Sequence, residues 1–92
     1  MPRRRLRSLP AKPPGRLQPG FREQYDLLEA RRAQMIARLH LLRKITQRHP
    51  GYKHALKLLN YTFRRQKLAG RFVVLQAANW LIRVLEELNA LI

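Results

Sequence analysis

The stretch FREQYDLLEARRAQMIARLHLLRKITQRHPGYKHALKLLNYTFRRQKLAG, residues 21–70, decides the fold class. From Phe21 to Arg48 it contains no proline or glycine, and Tyr25, Leu28, Met35, Ile36, Leu39 and Leu42 recur at helical spacing on one face. This predicts a helix over about 21–48. Its opening turns carry Glu23, Asp26 and Glu29 and its closing turns Arg43, Lys44 and Arg48, a polarity that complements the helix dipole. Leu27, Leu41 and Ile45 fall on a second stripe on the opposite side, so two faces ask for cover. His49-Pro50-Gly51 then stops the helix, because proline cannot extend it and glycine permits a reversal. A second helix over about 52–69 follows, with Tyr52, Ala55, Leu56, Leu59 and Phe63 as its apolar face. The turn is short enough to return it antiparallel to the first.

Working outward toward the C-terminus, Gly70 is the next breaker, and a break or kink is expected there. The most apolar helix spans about 72–91, with Val73, Ala77, Trp80, Leu81, Val84, Leu88 and Leu91 along a broad stripe that Val74, Leu85 and Ile92 widen. This stripe is expected to be core or interface. Phe72, Leu75 and Ile82 fall on its far side, and two other helices cannot cover every apolar face, so a homo-oligomer or a place in a larger complex is expected. Gln76 and Asn79 interrupt the longest apolar run, Phe72 to Ile82, and it falls short of the roughly 18 residues of a transmembrane helix. No membrane span is expected.

Toward the N-terminus the composition changes. Residues 1–20, MPRRRLRSLPAKPPGRLQPG, hold five of the six prolines, two of the four glycines and six cations without an acid. That excludes a helix or a packed strand and predicts an extended basic arm that orders on a partner. An Arg-rich, acid-free start also suits a mitochondrial presequence, but prolines at this density break the amphipathic helix such a segment needs. The cytoplasm is the expected location, with the mitochondrial matrix as the alternative. The expected architecture is all-α: an arm at 1–20, then a helical domain at 21–92 made of a helical hairpin and an apolar C-terminal helix.

Charge points to the partner. Twenty Lys+Arg against five Asp+Glu give the 92 residues a formal net charge of +15, and self-repulsion of that size opposes compaction unless a polyanion neutralises it. Fifteen of the cations are arginine, whose planar fork pairs bidentately with phosphate and stacks on bases. If the second helix ran unbroken to Arg71, then Lys53, Lys57, Arg64, Lys67 and Arg71 would share one stripe beside the apolar face. Asn60 lies along it as a base or sugar donor, and no acid occurs between Lys53 and Arg71. Tyr61, off the apolar stripe, is the best base-stacking candidate, whereas Phe63 reads as core. In the arm, Arg3, Arg4, Arg5, Arg7, Lys12 and Arg16 match in composition the extensions that some ribosomal proteins thread between RNA helices. Lys53, Leu56 and the run RRQKL at 64–68 also resemble, in outline, a helical RNA-binding family of the small ribosomal subunit. RHPGYK at 48–53 departs from that family's His, Asp and Ser cluster at the helix junction, and no residue role is carried over.

Other chemistries find little to work with. His40, His49 and His54 show no zinc-ligand spacing, and there is no cysteine. Ser8, the one serine, lies in the arm, and the acids have no adjacent histidine. Neither an enzyme, a metal nor a cofactor is expected. The expected function is structural nucleic-acid binding, RNA before DNA, within a ribonucleoprotein assembly. The alternatives are a helical protein–protein adaptor for an acidic partner, and a DNA-binding helix-turn-helix over 53–92.

Overall fold

The computed structural model describes residues 20–92, so the arm and its six cations lie outside the described residues. The described chain is all helical: α1 (Phe21–His40), α2 (Lys44–Gln47), α3 (Pro50–Lys57), a π-helical turn (Leu58–Thr62), a 3₁₀ turn (Phe63–Arg65) and α4 (Leu68–Leu91). Polar contacts between helices set the directions. Leu68 N–H donates to the Tyr25 hydroxyl at 3.1 Å, Arg38 reaches Asn79 and Glu86, and Arg43 N–H donates to Asn89 Oδ1 at 3.0 Å. Along α4 the partners therefore rise in the same order as along α1, so the two helices run parallel. Against the flank of α4, α3 runs the other way, with Gly51 near Leu85 and Phe63 under Arg71. The fold is an up-down-up three-helix bundle, in agreement with the expected hairpin plus apolar C-terminal helix.

The core takes Leu28, Leu39 and Leu42 from the first segment, Ala55, Leu59 and Phe63 from the second, and Val74, Leu75, Ala78, Ile82 and Leu85 from α4. Ala55, Leu59 and Phe63 stand four residues apart, a spacing that drifts about 40° per step around an α-helix. The wider π turn at Leu58–Thr62 counters that drift, and all three side chains are fully buried.

Three boundaries differ from the sequence expectations. The first helix ends at His40 rather than near Arg48, although no proline or glycine is there. Leu41 and Leu42 close it with i→i+3 bonds, and Asn89 Oδ1 takes the N–H of Arg43 and the hydroxyl of Thr46, starting α2 as a separate turn. The Pro50-Gly51 pair does not form the reversal; it opens α3. His49 is the N-cap, accepting from Gly51 N–H through Nδ1 at 2.9 Å, and proline occupies the first turn, where its missing N–H costs nothing. The break before α4 falls at Gln66 and Lys67, both extended, and Gly70 lies within the first turn of α4. Glycine matters there for another reason: a Cβ at residue 70 would lie 2.5 Å from Gln66 Oε1 and 3.0 Å from Gln66 Cβ. At the start of α1, Gly20 adopts a left-handed conformation (φ 87°) that side chains other than glycine's disfavour.

The fourth correction concerns which face of α4 is core. The expected stripe through Val73, Ala77, Trp80, Leu88 and Leu91 points outward, with Val73 61%, Trp80 66% and Leu91 84% exposed, while Leu81 and Val84 at its margin are half-buried. The bundle buries Val74 and Leu85, expected at the edge of that stripe, together with Ala78 and with Leu75 and Ile82, two of the three residues assigned to the far side. At 100° per residue the two stripes are centred about 130° apart. Polar groups choose between them: Asn79, Glu86 and Asn89 flank the buried stripe and all three are hydrogen-bonded to α1 or α2. Length and composition would let α4 cross a membrane, with a mean hydropathy of 1.3 over its best 18-residue window, yet it supplies nearly half of the bundle's core residues.

Candidate functional site

Charge on the bundle is sorted by sequence position. Residues 30–85 contain no acid, so α2, α3 and the turns that follow present cations without local carboxylate partners. Two of the five acids serve α1. Glu29 Oε1 accepts from Arg32 Nε at 3.0 Å, one helical turn along α1. Glu86 accepts from Arg38 through both oxygens, from Nε at 3.0 Å and from Nη2 at 2.7 Å. These are the two ion pairs among the described residues.

The Arg38 guanidinium holds the Glu86 carboxyl below the usual carboxylate range, through the hydrogen bond first, against the opposing effect of partial burial; Glu86 in turn raises Arg38. A carboxylate whose folded pKa is depressed stabilises the fold above its unfolded pKa, and that contribution is lost as pH falls through the folded value. Both side chains are more than a third exposed, which limits the effect to less than about 1 kcal/mol. Glu86→Gln should therefore lower the melting temperature slightly at neutral pH, and the gap to the parent should close as both are acidified below the carboxylate range. A gap of constant size down to strongly acid pH would contradict this assignment.

The second helical segment carries the candidate surface. Lys53, His54, Lys57, Asn60, Tyr61, Arg64 and Arg65 are exposed along α3 and its two closing turns, and Lys67 is exposed in the extended link. None of these cations has a carboxylate within ion-pair distance among the described residues. Arg43, Lys44 and Arg48, likewise exposed, extend the surface around the end of the bundle where the chain enters α3.

The expected single ridge is modified in three places. Because the helix breaks at Gln66, Lys67 and Arg71 do not continue the line of Lys53, Lys57 and Arg64. Arg71 turns inward: Nε donates to the Gln66 carbonyl at 2.9 Å, and the guanidinium lies 5.2 Å from the Tyr25 ring and 4.8 Å from the Phe63 ring. It packs the bundle and closes the interhelix link. Asn60 does not stand free; its Oδ1 accepts from Arg32 Nη1 at 3.1 Å, which ties the π turn to α1 and leaves the amide N–H₂ to donate outward. Tyr61 is 56% exposed with the Arg65 guanidinium 5.2 Å over its ring, a stacked aromatic–arginine pair at the surface.

Arg65, which the sequence reading did not place on the ridge, thus joins the surface through Tyr61; the i,i+4 spacing of the two residues was the available signal. The three histidines are all exposed, and no three His, Asp or Glu side chains converge among the described residues. Two shallow grooves between α1 and α4 share Arg31 and Phe72 as lining, and Arg31 is the one charged side chain in each. No protein-family model, no curated protein and no solved structure matches the chain.

Proposed function

We propose that this chain binds nucleic acid, RNA in preference to DNA, as a structural subunit of a larger ribonucleoprotein assembly. The observation that carries the reading is the exposed set Lys53, Lys57, Arg64, Arg65 and Lys67, which meets no carboxylate. A solvated helix face of the same density ordinarily interleaves acids for i,i+4 pairing. Unpaired cations spaced along about three helical turns from Lys53 to Arg65, with Lys67 in the link that follows, instead suit a run of phosphates. Their contact releases counterions and is worth more than isolated surface charges. Tyr61 with Arg65 offers a flat surface for an unstacked base, and the outward N–H₂ of Asn60 a donor to a base or sugar, which are features of single-stranded RNA recognition. The arm cations Arg3, Arg4, Arg5, Arg7, Lys12 and Arg16 add to the same contact on composition alone.

A helix-turn-helix reading over 53–92 is disfavoured, because its recognition helix would be α4, whose outer face carries Val73, Trp80 and Leu91 and a single cation, Arg83. An adaptor for an acidic protein would use the same cations but not a stacking surface. Titration of labelled single-stranded RNA, duplex RNA and duplex DNA at several salt concentrations separates these readings. The expected result is tightest binding to single-stranded RNA, with log affinity falling against log salt at a slope of about −3 to −3.5, as four to five phosphate contacts at about 0.7 each require. No binding to any of the three at low salt, or a flat salt dependence, overturns the proposal.

A further inference from the structure

The outward stripe of α4 is self-complementary. Leu91 follows Val73 by 18 residues, five full turns at 3.6 residues per turn, so the apolar row runs straight along the helix. Reversing the helix about a point between Trp80 and Leu81 sets Val73 against Leu88, Ala77 against Val84 and Trp80 against Leu81, so six of the stripe's positions meet one another, the bulky indole lies beside the small Ala77, and Leu91 falls opposite Gly70. The same operation lets each pair occur twice, as a two-fold axis requires.

Charge selects the same occupant. Two chains of net charge +15 repel on every basic surface, and α4 is where they approach at least cost. Residues 72–92 hold only Arg83, Glu86 and Glu87, and Glu86 is already paired with Arg38. A seam about 36 Å long and about 15–20 Å wide covers roughly 600 Å² per copy, at the lower end of specific interfaces, which bury about 800 Å² per partner.

From these observations we infer that the chain forms an antiparallel, two-fold dimer through the outer face of α4, with the axis between Trp80 and Leu81. Each copy keeps its α3 surface free. The inference is independent of the nucleic-acid reading, and no nucleic acid enters its test.

Trp80, the only tryptophan, is the reporter. Sedimentation of the full chain from about 1 to 200 μM, in enough salt to screen the net charge, should take the mass from one copy to two. Trp80 fluorescence should shift to the blue over the same range. Trp80→Glu should stay monomeric with unchanged helical circular dichroism, because the side chain lies outside the bundle core.

Register is read by cross-linking in a chain that has no cysteine of its own. An oxidised mixture of Ala77→Cys and Val84→Cys should yield the mixed disulfide in excess over either homodisulfide. In the inferred register two Ala77 positions lie about 10 Å apart along the axis, beyond disulfide reach. A single-copy mass throughout the range overturns the inference. So does a dominant Ala77→Cys homodisulfide, which marks a parallel pairing. So does a blue shift that appears only with neutral phosphatidylcholine vesicles, which marks α4 as a lipid-binding face.

Discussion

Replacing Lys53, Lys57 and Arg64 together by glutamate is expected to weaken single-stranded RNA binding by on the order of a hundredfold near 0.1 M salt, with helicity and melting temperature nearly unchanged. The estimate follows from counterion release: at a slope of about 0.7 to 0.9 per contact, each phosphate contact is worth roughly five- to eightfold at that salt concentration, and three are lost. The log–log slope should flatten by about 2 to 3. Stability is spared because all three side chains are exposed and unpaired, and removing like charges from a chain of net charge +15 relieves self-repulsion.

Arg71 is left out of this variant on purpose. It was part of the ridge expected from periodicity, but its guanidinium packs against Tyr25 and Phe63, so reversing it would damage the fold and confuse the readout. An unchanged affinity and slope in the triple variant would remove α3 from the contact. Should the parent bind RNA steeply while this variant binds equally well, the arm would be left as the binding element.

The largest stability effect is expected at Phe63. The ring is fully buried, in line with Ala55 and Leu59, and is flanked by the guanidinium groups of Arg71 at 4.8 Å and Arg32 at 5.8 Å. Phe63→Ala removes a large core side chain and leaves a cavity, at a cost of about 3–5 kcal/mol. It also takes from Arg32 its aromatic partner and from Arg71 one of two, each contact worth about 0.5–1 kcal/mol where exposed. A domain of this size is stable by only about 4–11 kcal/mol, so the variant should lose most of its cooperative unfolding transition in urea. Phe63→Leu, which keeps most of the volume, should cost far less. Tyr61→Ala two residues away, where the ring is mostly exposed, should melt close to the parent. A Phe63→Ala protein melting within a few degrees of the parent would mean that the packing around this ring does not hold the bundle together.

Much of the fold was legible because the first two segments each carry a single dominant apolar stripe. Leu28, Leu39 and Leu42, and then Ala55, Leu59 and Phe63, were identified from spacing and are buried. The cation surface was legible in composition but not in shape. A single ridge required a helix unbroken to Arg71, with the break expected only at Gly70, whereas the break at Gln66 and the π turn before it re-aim everything from Asn60 to Arg71. Sequence holds no signal for either: Gln66 and Lys67 are ordinary helix formers, and a π turn arises to keep Leu59 and Phe63 inside, a requirement set by neighbouring helices.

By itself, the amino-acid order determined that the chain is helical, that a helix boundary falls at His49-Pro50, and that its cations are concentrated where acids are missing. Those properties rest on local backbone preferences and on counts that no packing can alter. Tertiary structure alone decided that α1 stops at His40 and α2 starts against Asn89, that Arg71 packs on Tyr25 and Phe63, and which of two apolar stripes on α4 faces its own bundle. Both stripes are hydrophobic enough to be buried, so hydrophobicity could not separate them. What separated them was the need of Asn79, Glu86 and Asn89 for partners on α1 and α2, a need that exists only once the helices lie side by side.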